Sequence, residues 1–87
     1  MEIRYSEKAV KQLKAIAKGD RKSAALILGA VESYAADPQA SFDVKVLKGK
    51  LGDMKRLRVG KYRILFDEEK EVMSVYEVKH RREAYSD

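Results

Sequence analysis

Residues 54–66, MKRLRVGKYRILF, decide the fold, because they show the two-residue alternation of β-strands on both sides of a Gly-Lys pair. On the first strand, Leu57 and Val59 point one way and Arg56 and Arg58 point the other. This pattern is typical of a sheet with one covered face and one open face. If the apolar side chains are covered, the arginines lie on the open face, where several guanidinium groups can bind phosphate.

The return strand and the segments after it extend the predicted sheet. Gly60 and Lys61 predict a tight turn, and the next strand brings Arg63 beside the arginines of the first strand. The acidic run at residues 67–71 predicts the following turn. Residues 72–78 are almost continuously apolar and predict a last strand, whose facing the alternation does not settle.

The first half of the chain predicts one short strand and then a helix. Ile3 and Tyr5 alternate with polar residues, as in a strand. Ser6 offers an N-cap for a helix that ends at Gly19. The apolar stripe of this helix consists of Ala9, Val10, Leu13, Ile16 and Ala17.

A second helix follows directly. Asp20 can cap its start, and Pro38 forces Asp37 out of helical geometry. Its apolar stripe consists of Ala24, Ile27, Leu28, Val31, Tyr34 and Ala35. Because the connection is so short, the two helices must form an antiparallel hairpin. The expected fold class is α+β, in the order β-α-α-β-β-β, with the helix hairpin on one face of a mainly antiparallel sheet and an open basic face.

Composition limits the function classes. The chain has 87 residues, 45% hydrophobic and 38% charged, so we expect one globular domain over residues 1–87. Since there is no cysteine and one histidine, we expect no thiolate site, no metal and no cofactor. No apolar signal core or membrane-spanning window is present, so we expect a cytoplasmic protein that does not bind membranes.

The positive charge is concentrated in one segment. Residues 45–63 hold eight basic residues against one acid, whereas the whole chain has 19 basic and 14 acidic residues. The eight are Lys45, Lys48, Lys50, Lys55, Arg56, Arg58, Lys61 and Arg63. Exposed strands often carry such residues for solubility, but a solubilising surface mixes both signs. The segment therefore predicts a patch that binds nucleic acid or an acidic protein segment.

A second cluster of reactive side chains follows the last predicted strand. It consists of Lys79, His80, Arg81, Arg82 and Tyr85. Cleavage of RNA by its own 2′-hydroxyl needs a proton acceptor, cations beside the phosphorus and a proton donor for the leaving oxygen. His80, the arginines and Tyr85 can supply these roles, although a lone histidine is more often structural and a terminal tyrosine more often a hydrophobic anchor.

From end to end, the chain resembles the RelE/ParE superfamily of toxins from bacterial and archaeal toxin-antitoxin pairs. The resemblance rests on four pieces in this order: Asp37-Pro38, Leu47-Lys48-Gly49, residues 55–66 (KRLRVGKYRILF) and residues 78–85 (VKHRREAY). Each piece is short, but their order and spacing together are specific. The fold of the family has the element order predicted above.

The resemblance is closer to the RelE branch, which implies a ribosome-dependent endoribonuclease. Such a toxin enters the A site beside ribosomal RNA and cuts the messenger RNA being translated. Position by position, the resemblance implies catalytic roles for Arg56, Arg58, Arg63, Arg81 and Tyr85. Arg63 would stabilise the pentavalent phosphate and Tyr85 would be the general acid. The other cations are expected to bind nucleic acid: Lys45, Lys48, Lys50, Lys55, Lys61, Lys79 and Arg82.

The identity of the proton acceptor is left open by the resemblance. Some RelE members carry lysine where this chain has Arg56 and Arg58, and arginine effectively cannot lose its proton. Lys55 is adjacent but by alternation faces the helices. Our hypothesis is that His80, which lies near this site at the end of the last predicted strand, or a water held by the arginines, accepts the proton.

Two alternatives stay open. A ParE-like toxin would share the fold and poison DNA gyrase without cutting RNA, although the full set of catalytic side chains favours the ribonuclease. A non-catalytic module would only dock an acidic partner and would tolerate lysine at Arg63. The resemblance also implies a cognate antitoxin that wraps the domain with acidic residues over the basic face. Leu26 and Ala30, off the apolar stripe, add surface for such a partner.

Overall fold

The described part of the chain folds into two helices and a five-stranded sheet. The computed structural model describes residues 1–47 and 54–82. The elements are β1 (Glu2–Tyr5), α1 (Glu7–Gly19), α2 (Arg21–Ala36), β2 (Val44–Leu47), β3 (Met54–Val59), β4 (Tyr62–Glu69) and β5 (Val72–His80). The α+β class and the helix hairpin are confirmed, and the structure adds β2, a strand that the sequence pattern did not predict. Among the residues described, no helix has the length and apolar character to cross a membrane.

Local hydrogen bonds explain why the helices begin and end where the sequence predicts. The side chain of Ser6 accepts a hydrogen bond from the N–H of Ala9, and the side chain of Asp20 accepts one from Ser23. The N–H of Asp20 also donates to the carbonyl of Ile16, which ends α1. Each of these bonds connects residues three or four apart, so each can be recognised from sequence alone.

The strands form one mixed sheet in the order β1-β5-β4-β3-β2. β1 is parallel to β5, and the other neighbours are antiparallel. The turn between β3 and β4 needs a left-handed residue, and Gly60 supplies it with φ of 55°. In the next turn, the left-handed positions are Lys70 and Glu71, with φ of 52° and 65°. This turn holds two residues only, so residues 67–69, predicted as turn, are the end of β4.

The core lies between the helix hairpin and one face of the sheet. Its buried residues are Ala9, Ile27, Val31, Tyr34, Ala35, Leu57, Ile64, Phe66, Met73, Val75 and Val78. Two residues were wrongly assigned to the covered stripes of the helices: Ala17 is exposed, and Leu28 is 41% exposed. Leu28 follows the buried Ile27 and is therefore rotated by about 100° around the helix axis, away from the sheet.

A β-bulge in β5 changes which of its side chains face the helices. Leu65 lies opposite Glu77, but the next residue, Phe66, lies opposite Val75. Tyr76 therefore has no partner in the register, and the alternation of side chains is reset at this residue. The bulge is the physical reason why alternation in the sequence did not settle the facing of this strand.

Candidate nucleic-acid interface

A row of charged side chains crosses three strands, β3 to β5, on the open face of the sheet. Arg58 of β3 lies opposite Arg63 of β4, and Arg63 lies opposite Lys79 of β5. The row continues to Asp43, which directly precedes β2. The backbone carbonyl of Asp43 accepts a hydrogen bond from the N–H of Arg58 at 3.0 Å. Neighbouring strands are about 4.8 Å apart, so successive members of the row are within reach of one another.

Three of the predicted catalytic arginines meet at one cavity. The cavity has a volume of about 180 Å³ and is lined by Arg58, Gly60, Tyr62, Arg63 and Arg81. Arg81 is held there because its backbone N–H donates to the carbonyl of Lys61 at 2.7 Å, which fixes the exit of β5 beside the turn between β3 and β4. Converging guanidinium groups around a small cavity can hold a phosphodiester through charge-assisted hydrogen bonds.

Arg63 lies at the electrostatic centre of this cluster. Desolvation lowers the pKa of its guanidinium, and the positive charges of Arg58 and Arg56 lower it further, while the carboxylate of Asp43 acts in the opposite direction. Arginine stays protonated despite such a shift, and the part of the shift that comes from Arg58 and Arg56 reflects repulsion among the three cations. A bound anion relieves this repulsion, and the open face is thus electrostatically suited to phosphate.

Arg56 lies on the same face, but it is buried, with 6% of its surface exposed. The predicted face is therefore correct, but Arg56 is not exposed on it as Arg58 is. The reason is β2, which pairs Lys45 with Arg56 and makes β3 an interior strand. Nη2 of Arg56 is 3.4 Å from Oδ1 of Asp43, and Nε of Arg58 is 3.6 Å from Oδ2 of the same carboxylate.

Lys55 does not lie with the predicted nucleic-acid-binding residues. Its Nζ is 3.0 Å from Oε1 of Glu68, and the same carboxylate accepts a hydrogen bond from Tyr34 of α2. The alternation of β3 correctly predicts that Lys55 faces the helices. Its inclusion among the nucleic-acid-binding residues stays a prediction, which the position of its ammonium group on the covered face does not support.

None of the other predicted binding residues that the structure describes lines the cavity. Lys45, Lys61 and Arg82 are exposed, and Nζ of Lys79 is 3.3 Å from Oε2 of Glu77. Lys48, Lys50 and Tyr85 lie outside the described residues. The assignment of Tyr85 as general acid stays a prediction.

His80 lies on the covered side of the sheet, away from the three arginines. After the bulge, His80 shares a face with the buried Val78, and its ring contacts the edge of Tyr62 with centroids 5.2 Å apart. Both rings line a cavity of about 450 Å³ together with residues of α1. Nδ1 of His80 accepts a hydrogen bond from the N–H of Arg82 at 3.2 Å. This placement does not support the hypothesis that His80 accepts a proton beside Arg63.

Asp43 is a residue of this surface that the sequence analysis missed. Its side chain is 54% exposed and contacts both Arg56 and Arg58. No motif indicates it, because it precedes a strand that the sequence pattern did not predict. The sequence gives one indication of Asp43: it is the acidic residue closest to the amino-terminal end of the basic segment, residues 45–63.

Solved structures of toxins have the same architecture. RelE in the RelB-RelE complex from Methanococcus jannaschii is 26% identical, with a TM-score of 0.68 and 95% of each chain covered. RelE in the complex with RelB from Pyrococcus horikoshii OT3 is 24% identical, with a TM-score of 0.73 over 92% of this chain and 93% of that chain. The YoeB dimer from Staphylococcus aureus is 17% identical, with a TM-score of 0.78 over 92% and 95%. The fold is therefore RelE-like.

The sequence agrees with the fold. A model of the family described as "ParE toxin of type II toxin-antitoxin system, parDE" matches residues 3–85. The chain therefore belongs to this family of toxins, and the prediction of a RelE/ParE superfamily toxin is confirmed. A search of curated proteins gave no significant match.

Proposed function

We propose that this toxin is a ribosome-dependent endoribonuclease that cuts messenger RNA in the A site and thereby inhibits translation. The observation that carries the proposal is the cavity shared by Arg58, Arg63 and Arg81. These side chains come from β3, β4 and the exit of β5, and the RelE resemblance expects all three in catalysis. Docking on an acidic protein needs positive charge, but it does not need three guanidinium groups around one small cavity.

The proposed reaction is attack of a ribose 2′-oxygen on the adjacent phosphorus. The bond from phosphorus to the 5′-oxygen breaks, and the 2′-oxygen loses its proton. Arg63, with Arg58 and Arg81, stabilises the additional negative charge on the phosphoryl oxygens. Tyr85 is proposed to donate the proton that the leaving 5′-oxygen takes up.

We also propose that a cognate antitoxin binds this toxin, because the similar RelE proteins were solved in complexes with RelB. An acidic segment over the open face would neutralise the arginines and block the cavity. A second contact is supported by a groove of about 680 Å³ beside α2, lined by Lys22, Ala25, Leu26, Gly29, Ala30, Ser33 and Val59. Leu26 is 61% exposed there, which supports the predicted role of this surface.

Primer-extension mapping of a defined messenger in a reconstituted translation reaction tests the nuclease proposal. The purified toxin should cut only during translation, at a fixed position within codons, and Tyr85→Phe should weaken the cuts. The same RNA without ribosomes is the control and should stay intact. An uncut messenger with well-folded toxin would overturn the proposal.

The family model itself supports a second candidate function, since it describes ParE toxins. In this alternative the toxin binds DNA gyrase and poisons it. The test is a supercoiling assay with gyrase, DNA and ATP, in which a poison produces linear DNA and reduces supercoiling. Inhibition of gyrase together with an intact messenger in the translation reaction would favour this alternative.

A further inference from the structure

The nuclease proposal lacks a proton acceptor among the arginines, since arginine effectively keeps its proton. Two other candidates lie on the covered face: His80 beside Tyr62, and Lys55 in its ion pair with Glu68. The group that removes the proton from the 2′-hydroxyl must be within hydrogen-bond reach of it, at about 2.6–3.2 Å. Among the residues described, the acceptor has to be sought on the open face.

Asp43 is the carboxylate that lies in the arginine cluster. It contacts Arg56 at 3.4 Å and Arg58 at 3.6 Å, and both distances are long for charge-assisted hydrogen bonds. Each carboxylate oxygen has two lone pairs, so these contacts leave acceptor positions unused. With 54% of the side chain exposed, those positions are open to a substrate.

The spacing along the row fits a phosphate and a ribose. Asp43 and Arg63 are separated by the one strand that carries Arg58, which corresponds to roughly 10 Å across the sheet. A phosphodiester bound by Arg63 and Arg58 has its neighbouring ribose within a few ångströms. The 2′-hydroxyl of that ribose can therefore reach the carboxylate while the phosphorus stays against the guanidinium groups.

We infer that Asp43 is the proton acceptor of the cleavage reaction. The 2′-hydroxyl gives its proton to a carboxylate oxygen of Asp43. The 2′-oxygen then forms the new bond to phosphorus, and the bond between phosphorus and the 5′-oxygen breaks. The 5′-oxygen leaves with its electron pair and takes a proton from the general acid. This inference rests on the proposed nuclease function.

Chemical rescue tests the inference. Asp43→Ala should lower the single-turnover cleavage rate on programmed ribosomes by about 100-fold or more, the usual contribution of a general base. In buffers with chloride as the only other anion, small carboxylates should restore part of the rate. The restored rate should increase with the basicity of the added ion, from chloroacetate to formate to acetate. Asp67→Ala, which removes a carboxylate that accepts a hydrogen bond from Tyr76, is the matched control and should cut normally.

The outcomes distinguish the proposed nuclease function from the inferred role of Asp43. Wild-type toxin that leaves the messenger intact overturns the nuclease function and this inference with it. Wild-type toxin that cuts, with an equally active and folded Asp43→Ala, overturns the role of Asp43 alone. Rescue that is equal for all three carboxylates also overturns it, because it shows that an anion is needed only to orient Arg56 and Arg58. If Asp43→Ala does not fold, Asp43→Asn keeps an oxygen for both arginines and should still be inactive.

Discussion

At the scale of single residues, the proposed role of Arg63 depends on the shape of its guanidinium group as well as on its charge. It lies between Arg58 and Lys79 in the register and lines the cavity with Arg58 and Arg81. A planar fork can donate two parallel hydrogen bonds to a phosphate, whereas an ammonium group acts as a point charge. Charge-preserving substitution therefore separates catalysis from simple docking.

We expect Arg63→Lys to lower the ribosome-dependent cleavage rate by about tenfold or more, because one preorganised donor pair is lost while the charge is kept. Single-turnover primer extension measures the effect. Arg21→Lys, at the exposed start of α2, is the control and should leave the rate unchanged. An Arg63→Lys variant that cuts normally would favour a surface that needs only positive charge.

Glu68 connects pH to the stability of the fold. Burial would raise the pKa of its carboxyl, but hydrogen bonds from Tyr34 and Lys55 outweigh it and hold the pKa below its usual value. A carboxyl with a lowered pKa stabilises the folded state above the pKa of the unfolded chain, about 4.3, and this stabilisation is lost as pH falls through the folded pKa. The contribution is therefore complete at neutral pH.

We expect Tyr34→Phe to lower the free energy of unfolding by about 1 kcal/mol at pH 7, the usual net value of one hydrogen bond. The loss should be smaller at an acid pH below the lowered pKa of Glu68, because the acceptor is then protonated. Urea denaturation at both pH values measures the difference. Tyr76→Phe, which removes an exposed hydrogen bond to Asp67, should cost less at pH 7. An equal loss at both pH values for Tyr34→Phe would show that Glu68 is not involved.

At the scale of elements, the turn between β4 and β5 carries two side chains in the left-handed region. Lys70 and Glu71 both have positive φ, and each such residue costs about 1 kcal/mol relative to a residue that tolerates this conformation. Asn-Gly is the preferred pair for a two-residue turn with two positive φ angles. Lys70→Asn with Glu71→Gly should therefore raise the free energy of unfolding by about 1 kcal/mol, because the roughly 2 kcal/mol of relieved strain is partly offset by the conformational freedom of glycine in the unfolded chain.

Urea denaturation of the double variant measures this gain. The matched control is Lys61→Gly in the other hairpin turn, where the left-handed position is already occupied by Gly60 and Lys61 has no positive φ. This control should show no gain and a small loss, since glycine has more conformational freedom in the unfolded chain. A gain in the control variant as large as in the double variant would rule out backbone strain as the cause.

The elements also show what could be predicted from the sequence. The helix bounds depend on bonds between near neighbours, such as those of Ser6 and Asp20, and were predicted correctly. Arg58 and Arg63 were predicted as neighbours because one short turn fixes the register of their hairpin. The register of β2 against β3 and the bulge at Tyr76 depend on contacts with other strands. The contacts of Asp43 with Arg56 and Arg58 and the facing of His80 depend on those pairings, so the alternation of residues in the sequence could not predict them.

At the scale of the whole molecule, the separation of charge predicts how the proposed binding to RNA depends on salt. The chain has a formal net charge of +5, and its arginine cluster lies on the face opposite the helices. Each phosphate neutralised on single-stranded RNA should contribute about −0.7 to the slope of log K against log salt concentration. Affinity that comes from this face must therefore fall as salt increases.

We expect Arg58→Gln to make that slope less steep by about 0.7, because one phosphate contact is lost. Arg21→Gln removes the same charge from the start of α2, outside the cluster, and should leave the slope unchanged. Fluorescence anisotropy with a short labelled single-stranded RNA at several salt concentrations gives both slopes. Equal changes in the two variants would mean that net charge, and not the open face, determines binding.

The extra residue Tyr76 sets the facing of the whole end of β5. If the same residues continued in register from Val75 without the bulge, residues 77–80 would be turned over, because strand side chains alternate between the two faces. His80 would then lie on the face of Arg63, and Lys79 would lie beneath the helices. Loss of Tyr76 itself would only make the strand regular and keep the present facing, so a comparison with other toxins has to follow strand register as well as residue identity.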